Sequence, residues 1–183
     1  MIMKKIFTIL FGAVLLASCE KDAQKSPEPD FELRLAKNDD AGVTRALIVD
    51  RAINSTGTAV STPRYSVKQG SIELNMGLIP TTTIVPKLKS TIIFKQTANP
   101  SAAVGTYRLP DDAAKIHFSL AESMDAQTII RDLAVSGTIE VSYDANSKTF
   151  SGRLINIKYN APLGSAHKEY ILNGWFNHAA ITQ

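Results

Sequence analysis

The chain has 183 residues, a formal charge of +3 and a single cysteine. One cysteine excludes an internal disulfide and a multi-thiolate zinc site, so the fold must be stable through its core. A charge this close to balance makes no case for a nucleic-acid partner.

The N-terminus has the three parts of a signal peptide. Lys4 and Lys5 form a positive start, and residues 6–16 form an uncharged, mostly apolar run. That run is shorter than the roughly 20 residues needed to cross a bilayer core, so it reads as a transient export signal. It ends in Leu16-Ala17-Ser18-Cys19, which resembles the lipobox of bacterial lipoproteins. The resemblance implies cleavage before Cys19, diacylglyceryl on its thiol, and a further fatty acid, such as palmitate, on the new amine. Two acyl chains give stable membrane anchoring where one gives only marginal binding. Removing residues 1–18 from the 183 leaves 165, and takes Lys4 and Lys5 with it, so the charge of +3 falls to +1. A mature chain of this length suits one domain.

Residues 19–30 read as the lipidated cysteine and a flexible tether. The stretch is polar, holds Pro27 and Pro29, and has no apolar periodicity. Its start, Cys19-Glu20-Lys21-Asp22, is similar to the charged signals that carry lipoproteins of the Bacteroidetes phylum to the cell surface. The expected location is therefore the outer membrane, facing the periplasm or the cell surface.

From Phe31 to the end, residues 31–183 read as a single β-rich domain. Phe31, Leu33 and Leu35 alternate with Glu32 and Arg34. Ile72, Leu74 and Met76 alternate with polar residues, as do Gly105, Tyr107 and Leu109, and then Ile116, Phe118 and Leu120. Successive side chains of a strand face opposite sides, so each set lines one buried face. Residues 77–89, with Pro80 and Pro86 around a threonine run, read as a loop or edge segment. Residues 121–134 do not alternate cleanly: a short helix capped by Ser123 is one reading, a strand at 128–130 the other.

Residues 135–143 are the clearest strand, with Val135, Gly137, Ile139, Val141 and Tyr143 on one face. The turn-rich Asp144-Ala145-Asn146-Ser147 follows, then a second strand over 148–159, which predicts a hairpin. In the second strand Phe150, Gly152 and Leu154 set the inner face, and Ile155, Ile157 and Tyr159 then take it over. A β-bulge near Leu154 and Ile155 would put both sets on one side. In the last strand Tyr170, Leu172, Gly174 and Phe176 share a face, and Trp175 falls on the other with Ile171 and Asn173. About eight to ten strands predict an all-β antiparallel sandwich, with a lipocalin-like barrel as the alternative.

The stretches Gly137-Thr138-Ile139-Glu140-Val141-Ser142-Tyr143-Asp144, Lys148-Thr149-Phe150-Ser151-Gly152 and Asn173-Gly174-Trp175-Phe176, with Gly105-Thr106-Tyr107 in the same style, resemble a group of small Bacteroidetes lipoproteins of unknown function. The resemblance implies an exported β-sandwich-like domain. It supplies no activity and no site residues.

No catalytic, cofactor or metal site is expected. His117, His167 and His178 stand at no metal-ligand spacing. Asp39-Asp40 and Asp111-Asp112 lack the ladder of a calcium loop and read as turn residues. There is no G-x-S-x-G elbow, and Lys87, Lys89 and Lys95 have no interleaved aromatics for base stacking. Trp175 beside Asn173 on an outward face is the candidate ligand contact, suited to a sugar ring or a partner protein. The expected function is a non-catalytic binding or accessory module of the envelope, contacting the membrane through its lipid and a glycan or envelope protein through Trp175. A hydrolase with dispersed carboxylates and a carrier of a small apolar ligand are the alternatives.

Overall fold

The computed structural model describes residues 30–52, 61–78, 88–124, 127–132, 134–160 and 165–182. The expected signal peptide, Cys19, nearly all of the tether, and residues 79–87 of the threonine-rich segment lie outside the described residues.

Eleven strands form one hydrogen-bonded sheet: β1 Asp30–Asn38, β2 Thr44–Ala52, β3 Ser61–Lys68, β4 Ser71–Leu78, β5 Leu88–Phe94, β6 Gly105–Leu109, β7 Ile116–Met124, β8 Gln127–Asp132, β9 Ala134–Asp144, β10 Thr149–Asn160 and β11 Glu169–Ile181. The branch point is β11. One side of it carries β10. The other carries β1 from Asn177 back to Glu169, and then β3, in a short parallel contact at Ala180 and Ile181. One wing therefore runs β6-β9-β10-β11-β1-β2 and the other β3-β4-β5-β7-β8, and the whole curls into a half-barrel.

The wings close on a single core. Phe94 of β5 stacks 6.2 Å from Phe150 of β10 and lies 5.6 Å from Tyr107 of β6. Phe118 of β7 meets Tyr159 of β10 at 6.2 Å. The alternating sets Phe31/Leu33/Leu35, Ile72/Leu74/Met76 and Ile116/Phe118/Leu120 are all buried, as period-two strands with one wet face require. Two of these strands keep the alternation past their apolar residues. Lys37 follows Leu35 inward, Glu122 follows Leu120 inward, and the two form a buried ion pair at 2.5 Å between β1 and β7. Asp50 of β2 accepts the Leu88 N–H of β5, a second tie between the wings.

The all-β class is as expected, with eleven strands against eight to ten. The extra strand lies where a helix was the first reading: residues 121–134 hold the end of β7, then β8, paired from Ser119↔Asp132 to Met124↔Gln127. Ladder bonds to β7 satisfy this backbone, and the β-branched Thr128, Ile129 and Ile130 suit a strand.

The hairpin of β9 and β10 forms, with Ile139 and Val141 buried. Two details differ from expectation. Val135 is 47% exposed, because the ladder slips between Lys158 and Tyr159 and gives its inward place to Ala134. In β10 the phase does reset after Leu154, as expected, but the bulge lies one residue later, at Asn156. Asn156 takes a left-handed φ of 49°, Ile157 and Tyr159 resume the core, and Ile155 stays on the outer face.

Candidate functional site

The outer face of the first wing carries an open groove of about 890 Å³ over β1, β11, β10, β9 and β6. Trp175 of β11 lines it, second in from the β1 end. Leu172 and Phe176 point into the core from β11, so Trp175 points out, where it is half-buried between its neighbours.

Antiparallel pairing places one residue from each strand in a row through Trp175. Arg51 of β2 stands opposite Glu32 of β1, and Glu32 opposite Trp175. Trp175 stands opposite Arg153 of β10, Arg153 opposite Glu140 of β9, and Glu140 opposite Thr106 of β6. Directly opposed side chains in a sheet are near neighbours, so the indole lies between a carboxylate and a guanidinium. Asn173 and Arg34 flank the row on one side, and Asn177, Ser142 and Ser151 on the other.

The electrostatics alternate along the row. Glu32 is nearly buried and accepts from Arg34 Nε at 2.6 Å, while Arg51 Nη1 lies 3.9 Å from its other oxygen. The Glu32 carboxylate holds the Arg34 guanidinium above its ordinary pKa, chiefly through that hydrogen bond. Arg153 is exposed, and it makes no ion pair among the described residues.

Two irregularities frame the row. On one side is the β10 bulge, where the Asn156 N–H donates to Asn173 Oδ1 at 2.8 Å. On the other is His178, with φ 54°, whose N–H donates to Ser151 Oγ. Bulges sharpen local twist, so the sheet coils on each side of Trp175 and leaves a trough. Beneath it, on the inner face, Gly152 gives Phe176 room to press on the strand. A Cβ there would meet the Phe176 ring at 2.6 Å and collide with the Glu140 carbonyl.

The remaining sequence candidates lie elsewhere. His117 sits half-buried on β7, and His178 is held within β11. His167 packs edge-on to Tyr170, with ring centroids 6.2 Å apart. Among the described residues no three His, Cys, Asp or Glu side chains cluster as metal ligands. Asp39 organises its turn by accepting from the Ala41 and Val43 N–H groups and from Arg45. Asp112 accepts from the Arg108 N–H and from Lys115. Lys95 donates to the Ala113 carbonyl, and Lys87 lies outside the described residues.

The groove carboxylates are badly spaced for hydrolysis. Glu32 and Glu140 stand three strand spacings apart, about 14 Å, beyond the about 9.5 Å over which two carboxyls share a glycosidic bond. Elsewhere the displaced carboxylates, Asp39, Glu73, Asp112, Asp144 and Glu169, all shift downward. A general acid needs the opposite shift.

Sequence reading reached Trp175 and Asn173 and missed Glu32, Arg34, Arg153, Glu140 and Thr106. Their outward phase was visible in each strand. Their convergence depends on β1 and β10 flanking β11, which no local pattern announces. No family model matches the chain, and no curated protein or solved structure is detectably similar to it.

Proposed function

We propose that the protein is a non-catalytic binding module of the cell envelope. It is anchored at the outer membrane through lipid on Cys19 and takes its ligand in the Trp175 groove. The observation that carries this reading is the position of Trp175, a large half-buried aromatic on the groove wall with Glu32, Arg153, Arg34 and Asn173 around it. Sites with a flat apolar surface surrounded by fixed hydrogen-bonding groups select polar ligands that also present an apolar face. The 14 Å carboxylate spacing weighs against a hydrolase in this groove. The aromatic contacts of Phe94, Phe150, Phe118 and Tyr159 across the core weigh against a carrier with a deep apolar cavity.

Two measurements test the reading. Fatty-acid labelling of cells should mark the wild type and not Cys19→Ser; equal labelling ends the anchoring claim. Binding to purified outer-membrane material should fall for Trp175→Ala while the variant keeps its fold; unchanged binding removes the groove from the function.

A further inference from the structure

Taking the groove as the binding site, we infer that its ligand is an electrically neutral oligosaccharide lying across the strands, along the row from Glu32 to Thr106. Three features of the row specify this class. The first is shape. The row crosses β1, β11, β10, β9 and β6, four strand spacings or about 19 Å, a length that holds a short oligosaccharide rather than a single ring. The trough framed by the bulges at Asn156 and His178 follows the same line.

The second is charge. Read across the sheet, the row is Arg51, Glu32, Trp175, Arg153, Glu140, Thr106. A polyanion laid along it would gain at Arg153 and meet repulsion at Glu140, and a polycation would meet the reverse. Sites for charged polymers carry one sign along their length. Alternating signs suit a ligand with no net charge and many hydroxyls, because a hydroxyl both donates and accepts. Carboxylates accept hydrogen bonds from its O–H, guanidinium groups donate to its oxygen lone pairs, and Asn173 and Thr106 can do both.

The third is the aromatic side chain. The half-buried indole of Trp175, which lines the groove, offers a flat apolar platform for the C–H face of a sugar ring. A protein partner would call for a different surround. Protein interfaces are depleted of Glu and Asp, whereas Trp175 has Glu32 directly beside it and Glu140 two strands away.

The experiment uses the full lipidated chain in a detergent without sugar headgroups. Trp175 is the only tryptophan, so its fluorescence reports the groove directly. The probes are neutral gluco-, manno- and xylo-oligosaccharides of increasing length, an oligogalacturonate as the anionic probe and a chitosan oligomer as the cationic one. At least one neutral series should shift the emission, with affinity that rises with chain length to a plateau and is insensitive to added salt. Trp175→Ala, read by calorimetry, should lose about tenfold or more in affinity, as an aromatic anchor does; Arg153→Leu and Glu140→Gln should each weaken binding without creating a preference for a charged probe. Salt-sensitive binding of only a charged probe, lost in Trp175→Ala, would overturn the neutral class and leave the groove as the site. Silence from every saccharide overturns the carbohydrate proposal, and if a purified envelope protein then binds in a Trp175-dependent way, the groove reading survives without it. Saccharide binding that Trp175→Ala leaves intact sinks both.

Discussion

Arg153 stands directly across the β10–β11 ladder from Trp175, on the outer face of the sheet. The pairing follows from the register shift between Phe150 and Gly152, where β11 carries one extra residue beside His178, which brings Gly152 opposite Phe176 and Arg153 into register with the indole. Directly opposed side chains of neighbouring strands lie within reach of one another, so a ligand on the indole can also meet the Arg153 guanidinium.

Because Trp175 is only half-buried and lies outside the core, Trp175→Ala should cost about 1 kcal/mol of stability, against the about 3–5 kcal/mol typical of a core tryptophan. Urea denaturation measures this, and acrylamide should quench the single tryptophan efficiently. Strong protection from acrylamide together with a large stability loss would place the indole in the core and remove it from any binding role.

Ile139 is fully buried at the centre of β9, where it packs beneath the groove between β6 and β10. Ile139→Ala should cost about 2–5 kcal/mol, the usual range for a large-to-small core substitution. Equilibrium denaturation with an unchanged m-value is the check. A loss under about half a kcal/mol would mean that this face of the hairpin is not core.

Much of this arrangement is legible in the chain itself, and the reason is periodicity. Phe31/Leu33/Leu35 and Leu172/Phe176 declare their buried face by alternation alone, and Trp175 is then outward by elimination. Alternation fails where the backbone adds a residue. Ile155 was expected inside, but the bulge at Asn156 keeps it on the groove side, and Val135 lost its inward place to a slip in the ladder. At residues 121–134, irregular spacing resembled a helix because β8 pairs with β7 from only three residues further along the chain, Met124↔Gln127. Lys37 and Glu122 sit in phase with the buried set, yet a charge in that phase reads as the end of burial. Only the side-chain contact between β1 and β7, across the two wings, shows that the two charges answer each other.

That pair supports a third prediction. The Lys37 side chain is 9% exposed and that of Glu122 is 0% exposed, and Lys37 Nζ also lies 5.5 Å from the centre of the Tyr170 ring. Removing one member of a buried pair leaves the other charge with a partner fewer, at a cost of about 3–5 kcal/mol. Lys37→Ala should therefore destabilise the fold more than Lys95→Ala, whose ammonium is exposed and meets only a backbone carbonyl. Equal effects of the two substitutions in thermal denaturation would show that the tie between the wings contributes little.

Stability should decline at both ends of the pH scale, for opposite reasons. Val43 and Arg45 hold Asp39 low, Asn75 holds Glu73, Lys115 and the Arg108 amide hold Asp112, Ser147 holds Asp144, and Lys158 and Asn38 hold Glu169. With folded pKa values below the unfolded ones, the unfolded chain binds protons first. The stability these carboxylates give is complete above the ordinary carboxylate range near about 4 and is lost as pH falls through the folded values. At the alkaline end, burial pushes the Tyr65 hydroxyl up to about 12, and burial also raises Tyr107 and Tyr159. The folded chain then keeps protons that an unfolded tyrosine releases near about 10, so stability falls as pH rises from about 10 toward 12. Melting temperatures across pH should form a plateau with an acid shoulder and an alkaline one. Absorbance at the tyrosinate band should show Tyr65, Tyr107 and Tyr159 titrating late, with or after unfolding. If Tyr65, Tyr107 and Tyr159 ionised near about 10 in a chain that stayed folded, they would have to be solvated, and the aromatic layer joining the two wings would not exist as described.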